Sequence, residues 1–224
     1  MASSLFVTGT DTGVGKTLVS AALLHALARR HARVVGMKPV AAGLVDGPDG
    51  AVSEDVLALR AASTLRVPPD LDNPVALSAP MSPHLAAARE GRCLEVAALH
   101  AAWQSLAARA DVVVVEGAGG WYTPINDAQT LADLARVIGA PVVLVVGLRL
   151  GCLNHALLTV DAVRAAGLPL AGWVANRIDP DMSAADENIE TLRRRIAAPL
   201  LGVVPWGATP QEAAARLALP EGLA

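Results

Sequence analysis

Apolar residues along the chain form short continuous runs that alternate with segments of helical spacing. The apolar runs, which predict strands, lie at 5–7, 33–38, 112–116, 141–147, 170–174 and 201–204. The segments with helical spacing lie at 18–28, 53–59, 85–89 and 94–109, and two more begin at 151 and 211. Continuous apolar runs are typical of parallel strands, because helices cover both faces of such a sheet. The alternation therefore predicts a single doubly wound parallel α/β domain over residues 1–224.

Two stretches interrupt this alternation and are predicted to lack regular structure. Residues 41–50 are rich in Gly, Pro and Asp, and residues 68–83 contain five prolines. Such residues favour turns and loops over strands and helices.

A glycine-rich segment, residues 9–17, connects the first predicted strand to the first predicted helix. Its sequence is GTDTGVGKT, and its context is that of a phosphate-binding loop. The backbone N–H groups and the helix N-terminus would face phosphates, Lys16 would reach the outer phosphates, and the Thr17 hydroxyl would bind Mg²⁺. The usual pattern has glycine at the position of Thr10, whereas here it stands at Gly9. The alternative is a turn that merely starts a helix, but the context favours nucleotide binding.

Charged residues follow two further strands. Lys38 ends the second strand before Pro39, and Glu116 ends a run of four valines. Ligands bind at the carboxyl edge of open α/β sheets, which favours a site role for Lys38 over a surface lysine. A buried carboxylate without a partner is costly, so Glu116 is predicted to face Mg²⁺. Asp55, in the first turn of a predicted helix, is either a partner of the helix dipole or a further Mg²⁺ ligand.

The later strands end in further candidate binding residues. Residues 151–155 open a helix whose free N–H groups form a potential anion site, while His155 is expected to be an ordinary helix-face residue. Asn176 ends a strand, where its amide can form hydrogen bonds with a purine base. Asn176 and Asp179 also resemble the guanine-binding motif of GTPases. Pro205 and Trp206 either wall a base pocket or form a strand-end turn with a core tryptophan.

Charge and composition exclude several classes of partner. The chain has 18 Lys and Arg against 21 Asp and Glu, a net charge of −3, and no basic tract, so neither nucleic acid nor an anionic membrane is expected as a partner. No apolar run approaches the length that crosses a bilayer, and the first residues do not form a secretory signal. Cys93 and Cys152 have no metal-binding spacing. The chain is expected to be cytosolic.

Taken together, these residues resemble the dethiobiotin synthases, a family of the deviant P-loop class. The residues that carry the resemblance, in chain order, are Gly9-Thr10-Asp11-Thr12, Gly15-Lys16-Thr17, Lys38-Pro39-Val40, Ser82-Pro83-His84, Glu116-Gly117-Ala118-Gly119-Gly120-Trp121, Gly151-Cys152-Leu153-Asn154-His155 and Ala171-Gly172-Trp173-Val174-Ala175-Asn176. The resemblance covers the whole chain, and the combination is far more specific than the phosphate loop alone.

The resemblance implies a reaction in which ATP, CO₂ and 7,8-diaminononanoate give dethiobiotin, ADP and phosphate. It implies Lys38, Lys16 and Thr12 as catalytic residues, and Thr17, Asp55 and Glu116 as Mg²⁺ ligands. The residues implied to bind ATP are Gly13, Val14, Gly15, Lys16, Thr17, Leu18, Asp55, Glu116, Gly117, Ala118, Gly119, Asn176, Arg177, Pro205, Trp206, Gly207 and Glu212. The residues implied to bind the diamine are Lys38, Ala42, Gly151, Cys152, Leu153 and Asn154, the last four from the partner subunit of a homodimer.

The chain departs from the family at one substrate position. The family usually carries Ser or Thr there, and this chain has Ala42. Ala42 has no side-chain donor for the substrate, and its backbone N–H is the alternative donor. Loss of one neutral hydrogen bond typically costs about 1 kcal/mol.

Three other functions compete with the synthase. A partitioning or metallochaperone-type NTPase would carry a membrane-binding tail, a nucleic-acid surface or metal-ligand clusters, which the sequence lacks. A small-molecule kinase would stop at phosphoryl transfer. A degenerate binding module would have lost Lys16, Thr17, Lys38 or Glu116, and all four are present.

Overall fold

The computed structural model describes residues 2–47 and 50–223. Its strands are β1 (Ser3–Gly9), β2 (Val34–Met37), β3 (Val40–Ala42), β4 (Val45–Gly47), β5 (Gly50–Val52), β6 (Val75–Leu77), β7 (Val112–Glu116), β8 (Val142–Leu148), β9 (Leu170–Arg177) and β10 (Leu200–Val204). Its helices are α1 (Lys16–Leu27), α2 (Glu54–Ala62), α3 (Pro69–Asp72), α4 (Pro83–Arg89), α5 (Val96–Ala107), α6 (Leu131–Ile138), α7 (Cys152–Ala165), α8 (Ala185–Arg195) and α9 (Pro210–Ala214). None of the helices in these residues is long and apolar enough to span a membrane.

A six-stranded parallel sheet forms the centre of the molecule. Its strand order is β10-β9-β8-β1-β7-β2, and every neighbouring pair is parallel. Two small sheets lie outside it, one pairing β3 with β6 and the other pairing β4 with β5. The doubly wound α/β prediction is confirmed, and the extent of the domain over 1–224 stays a prediction.

Helices cover both faces of the sheet because the side chains of its strands alternate between two apolar layers. Val112 and Val114 of β7 pack with α1, α2 and α9 on one face. Val113 and Val115 pack with α4, α5 and α6 on the other face. All five residues of β7 are buried, which explains why this strand is a continuous apolar run.

The strand order brings the predicted site residues to one crevice. β1 lies between β7 and β8, and the chain crosses from one side of β1 to the other between those two strands. In doubly wound sheets, ligands bind outside the carboxyl ends of the strands at such a switch point. The segment after β1, Lys38 after β2 and Glu116 at the end of β7 all lie at this edge.

The two stretches predicted to be irregular are partly regular. Residues 41–47 include part of β3 and all of β4, and residues 68–83 include α3 and β6; Pro48 and Asp49 lie outside the described residues. Both predictions were therefore wrong in part. The strands β3 and β6 have three residues each and pair with each other across a long sequence separation, so neither has a local pattern strong enough to predict it. Helices α6 and α8 were also not predicted.

Gly36 of β2 lets α2 lie close to the sheet. A Cβ at this position would lie 2.9 Å from the Cβ of Leu59 and 3.0 Å from Cδ1 of Leu24. Since Leu59 belongs to α2 and Leu24 to α1, any side chain at position 36 would push these helices from the sheet. Helix α2 also carries Asp55, so this contact helps to place a site residue.

We expect Gly36→Ala to destabilise the fold by about 1–3 kcal/mol, the usual cost of overpacking a filled core. Urea unfolding measures the change. Gly120→Ala is the matched control, because a Cβ there would meet only the Gly9 carbonyl oxygen, at 3.8 Å. Equal stability of the Gly36→Ala variant and wild type would contradict the close packing of α2.

Candidate active site

The glycine-rich segment forms a tight loop between β1 and α1. Gly13 and Gly15 have φ angles of 74° and 86°, which favour glycine. A Cβ at Gly15 would lie 2.1 Å from Asn176 Nδ2, and a Cβ at Gly9 would lie 2.6 Å from Val14 Cγ2. Glycine at position 9 is therefore required by the packing of this loop. No side chain of the described residues caps α1, so its first N–H groups are available to an anion.

Lys38 lies among carboxylates at the carboxyl edge of the sheet. Its ammonium is 2.6 Å from Glu116 Oε1 and 2.7 Å from Asp55 Oδ2, and it donates to the Gly117 carbonyl at 3.3 Å. These three acceptors match the three protons of an ammonium group. Only 4% of Lys38 is exposed, which excludes the interpretation as a surface lysine.

The Thr17 hydroxyl joins the same cluster. Its Oγ1 lies 2.7 Å from Asp55 Oδ1 and 2.8 Å from Glu116 Oε1. A hydroxyl has one proton and can donate to only one of these oxygens at a time. Asp55 is therefore more than a partner of the dipole of α2.

The donor set of this cluster fits Mg²⁺. Glu116 is fully buried, and its Oε2 has no hydrogen-bond partner among the described residues. Two carboxylates and a hydroxyl are the hard oxygen ligands that Mg²⁺ takes, with water and phosphate oxygens completing its shell. Within residues 2–47 and 50–223, no three His, Cys, Asp or Glu side chains cluster as a metal site, so no all-protein metal cage is present in that part.

The cluster shifts the pKa values of its members in different directions. Burial alone would lower the pKa of Lys38, but the charges of Glu116 and Asp55 and their hydrogen bonds outweigh it, and the pKa is raised. Burial and the charge of Lys38 lower the pKa of Lys16 to about 8, against the opposing carboxylates. Burial would raise the pKa of Asp55, but Lys38 outweighs it and the pKa is lowered. Lys38 therefore keeps its charge at neutral pH, while Lys16 loses its charge in mildly alkaline solution.

One cavity of about 660 Å³ lies over this cluster. The predicted residues that line it are Thr12, Gly13, Gly15, Lys16, Thr17, Lys38, Ala42, Asp55, Glu116, Ala118 and Gly119. Val14 is a buried residue of the loop itself, Leu18 packs against the core, and Gly117 is buried at the base of the cluster. Both lysines of the sequence, Lys16 and Lys38, line this one cavity.

Five further residues line the cavity and were not predicted as site residues. They are Pro80, Met81, Ser82, Pro83 and Thr123. Ser82 and Pro83 belong to a segment that carried the family resemblance, and this resemblance was the only indication in the sequence that they lie at the site. Ala42 lies in the same cavity, where its methyl group offers no hydrogen bond.

A contact between Asp11 and Arg149 was also not predicted. The Arg149 guanidinium donates to the Asp11 carboxylate, and the Asp11 carbonyl accepts a hydrogen bond from Lys16 Nζ at 2.9 Å. Arg149 follows β8 and precedes α7. The contact therefore connects the glycine-rich loop to the start of α7.

The residues predicted to surround the base lie at the ends of β9 and β10. Asn176 Nδ2 donates to the Val14 carbonyl at 2.8 Å, so this group supports the glycine-rich loop. Arg177 donates to Asp186 at 2.5 Å.

Beyond β10, Pro205 and Gly207 flank Trp206, whose side chain is 60% exposed. Glu212 accepts a hydrogen bond from the Thr209 N–H at 2.8 Å and so caps α9. The exposure of Trp206 excludes a core tryptophan. Base binding by these residues stays a prediction.

The segment predicted to bind the substrate carboxylate lies outside the cavity of its own chain. Gly151 caps α7 with a φ of 96°, and Cys152 begins the helix. Cys152 is buried, Leu153 is partly exposed and Asn154 is exposed. The four residues do not line the cavity described above. Their role in a second subunit stays a prediction.

Comparison with known proteins identifies the family. A family model described as "AAA domain" matches residues 3–213. The ATP-dependent dethiobiotin synthetase BioD of Aromatoleum aromaticum is 56% identical over 217 residues, which cover 96% of this chain and 96% of that protein. The chain belongs to the dethiobiotin synthetase family. The resemblance seen in the sequence is thereby confirmed, and it extends over nearly the whole length of this family member.

Solved structures support the fold of this synthetase-family chain. The signal recognition particle receptor FtsY of Elizabethkingia anophelis, in complex with GDP, matches with a TM-score of 0.60 at 18% identity, over 100% of this chain. This chain spans only 61% of that receptor. The septum site-determining protein MinD of Pyrococcus horikoshii, complexed with Mg-ADP, matches with a TM-score of 0.58 at 19% identity, over 92% of this chain and 82% of MinD. At these identities the matches show a shared fold alone.

We expect the affinity for ADP, measured with a metal chelator present, to fall as the pH rises above about 8. The pKa of Lys16 is lowered to about 8 in the free protein, whereas a bound phosphate favours the charged lysine. Above that pH, binding takes up a proton, so the affinity falls by up to about tenfold per pH unit. Calorimetry at several pH values measures this slope. Lys16→Met is the control, with weak and nearly pH-independent binding; a flat profile in the wild type would contradict the charge state of Lys16.

Proposed function

We propose that this chain is an ATP-dependent dethiobiotin synthase that closes the ureido ring on 7,8-diaminononanoate with CO₂. The cavity over the glycine-rich loop and Lys38 supports this function, in a chain that is 56% identical to a dethiobiotin synthetase over nearly its whole length. MinD shares only the fold with this chain, as the 19% identity indicates. We place the enzyme in the cytoplasm.

The proposed reaction has three steps. One amine of the diamine attacks CO₂ and loses a proton, which gives a carbamate. A carbamate oxygen then attacks the terminal phosphorus of ATP, ADP leaves, and a carbamic-phosphoric mixed anhydride forms. The second amine attacks the anhydride carbonyl, loses a proton and expels phosphate, and the ureido ring closes.

The charges of the cavity suit the second step, in which two anions meet. Carbamate and triphosphate repel each other, so their approach requires fixed cations and hydrogen-bond donors. We assign Lys16, the loop amides and the Thr12 hydroxyl to the phosphates, and Lys38 to the carbamate. Because phosphoryl transfer depends mainly on positioning and charge stabilisation, this step needs no separate general base.

The same cluster provides a metal site in this proposal. Thr17, Asp55 and Glu116 would hold Mg²⁺, which neutralises phosphate charge when bound. Lys38 contacts Asp55 and Glu116, and we assign it to the carbamate that would bind beside them. In this proposal, Asp55 and Glu116 would hold the metal ion and Lys38 would bind the carbamate, so both cations lie where the carbamate meets the triphosphate.

The remaining assignments follow the family resemblance. Gly13, Gly15, Ala118 and Gly119 line the cavity, and we assign them to the phosphates together with Val14, Leu18 and Gly117. We assign the base of ATP to Asn176, Arg177, Pro205, Trp206, Gly207 and Glu212. The substrate carboxylate would bind the N-terminus of α7, Gly151 to Asn154, in the partner subunit of a homodimer.

The function is tested with purified protein, ATP, Mg²⁺, bicarbonate and 7,8-diaminononanoate, with the products identified by mass spectrometry. We expect dethiobiotin only when the diamine and ATP are both present. A phosphorylated diamine that accumulates would indicate a kinase instead. ATP hydrolysis that ignores the diamine and gives no ureido product would indicate a switch NTPase.

We expect Lys38→Met to lower kcat by about 10²–10³-fold, the usual effect of removing one charge-stabilising donor. ADP affinity should stay within about twofold of wild type, because Lys38 is assigned to the carbamate. Lys16→Met is the comparison, and it should weaken nucleotide binding as well. A thermal melt checks folding, since Glu116 loses its buried partner. Wild-type turnover in Lys38→Met would remove the lysine from the mechanism.

We expect two inactive variants to restore each other when their subunits are mixed. Gly151→Pro disturbs the start of α7, because proline cannot adopt the φ of 96° found at Gly151. Lys38→Met removes the ammonium that we assign to the carbamate. A mixed dimer that draws Lys38 and Gly151 from different subunits has one intact site, so random mixing should regain about a quarter of wild-type activity. Mixtures without activity would contradict shared sites.

A further inference from the structure

The backbone of Lys38 is held by a segment outside the main sheet. Lys38 lies between β2 and β3. Its N–H donates to the Asp72 carbonyl at 2.8 Å, and its carbonyl accepts a hydrogen bond from Asn73 Nδ2 at 2.7 Å. The next residue, Pro39, has no N–H with which to continue a strand ladder. The position of the Lys38 backbone therefore depends on Asp72 and Asn73.

Further hydrogen bonds hold the side chains of Asn73 and Asp72 in place. The second N–H of the Asn73 amide donates to the Val75 carbonyl at 3.1 Å. The Asp72 carboxylate accepts hydrogen bonds from Arg60 Nε at 2.8 Å and Arg60 Nη2 at 2.6 Å. Arg60 belongs to α2, the helix that also carries Asp55. The same helix thus supports the Lys38 backbone through Arg60 and binds the Lys38 ammonium through Asp55.

We propose that Asn73 is a positioning residue for Lys38. A lysine side chain has four rotatable bonds, so hydrogen bonds at the ammonium alone do not fix its path. Asn73 fixes the main chain at Lys38, and the ammonium then lies within 2.6 Å of Glu116 and 2.7 Å of Asp55. The effect of Asn73 on turnover rests on the proposed synthase function; its effect on the geometry of Lys38 does not.

A purely structural role would be the closing of the turn before Pro74 and β6. Such a role would lower stability without changing the environment of the Lys38 ammonium. Asn126 provides the matched comparison, because it makes the same kind of contact elsewhere. Its Nδ2 donates to the Leu94 carbonyl at 2.6 Å and to Gln129 Oε1 at 3.0 Å, and it does not line the active-site cavity.

The lysine content of the chain makes a direct spectroscopic test possible. The sequence contains only Lys16 and Lys38. Protein labelled with ¹³C and ¹⁵N in lysine therefore gives two Cε–Nζ signals, one for each lysine, which Lys16→Met assigns. We expect Asn73→Ala to shift or broaden the Lys38 signal and to leave the Lys16 signal in place. Asn73→Asp keeps the size but removes both donors, and we expect the same change. Asn126→Ala should move neither signal.

Kinetics provide the second readout. We expect Asn73→Ala and Asn73→Asp to lower kcat for dethiobiotin by about tenfold or more, as small misplacements of a reacting group do. ADP affinity should stay within about twofold, and Asn126→Ala should retain wild-type kcat. Should Asn73→Ala fail to fold, Asn73→Ser, whose hydroxyl can donate one of the two hydrogen bonds, is measured in the same way and should give an intermediate kcat.

The outcomes separate this proposal from the proposed function. An unchanged Lys38 signal and unchanged kcat in the folded Asn73 variants would overturn the positioning role. An equal loss of kcat in Asn126→Ala would also overturn it, because general destabilisation would then explain the effect. If the wild-type protein makes no dethiobiotin, the synthase function fails, and the lysine spectra still decide the role of Asn73.

Discussion

The buried ammonium of Lys38 is the interaction on which the rest of the site depends. Removing an ion from water costs several kcal/mol, so a buried charge persists only with well-placed partners. Lys38 and Glu116 are almost completely buried and lie 2.6 Å apart, and each therefore makes the burial of the other possible. Asp55 adds a contact from the solvent side. The contacts of the Lys38 ammonium with Glu116 and Asp55 hold the ends of β2 and β7 and the start of α2 together.

The distribution of basic residues supports a specialised role for this site. The chain has 18 Lys and Arg, but only two are lysines, and both line the cavity. Arginine forms the contacts elsewhere, such as those of Arg60 with Asp72 and Arg33 with Asp111. A lysine ammonium is a compact charge whose pKa responds to burial, and the pKa values of Lys16 and Lys38 shift in opposite directions within the cavity.

Much of this site could be predicted because it lies where strands end. The segment after β1, Lys38 and Glu116 each follow an apolar run, and the parallel fold brings such positions to one edge. Asp55 was ambiguous in sequence because the first turn of any helix attracts acids. Pro80 to Pro83 and Asn73 were not predicted as site residues. Their positions depend on the pairing of β3 with β6, which joins two three-residue strands across a stretch with no local signal. The capping role of Glu212 was also missed, although Thr209 and Glu212 have the spacing of a capping box and Pro210 stands at the start of the helix.

In the proposed mechanism, the cavity joins the terminal phosphoryl group of ATP to an oxygen of the carboxylated amine. Tracing the transfer of oxygen with an isotope tests this mechanism. In a brief reaction with ¹⁸O-labelled bicarbonate in unlabelled water, mass spectrometry of the released phosphate shows where its oxygen originated. We expect phosphate with one ¹⁸O atom, carried over from the carbamate when the ring closes. Unlabelled phosphate formed together with dethiobiotin would contradict the mixed anhydride and, with it, the role assigned to the cavity.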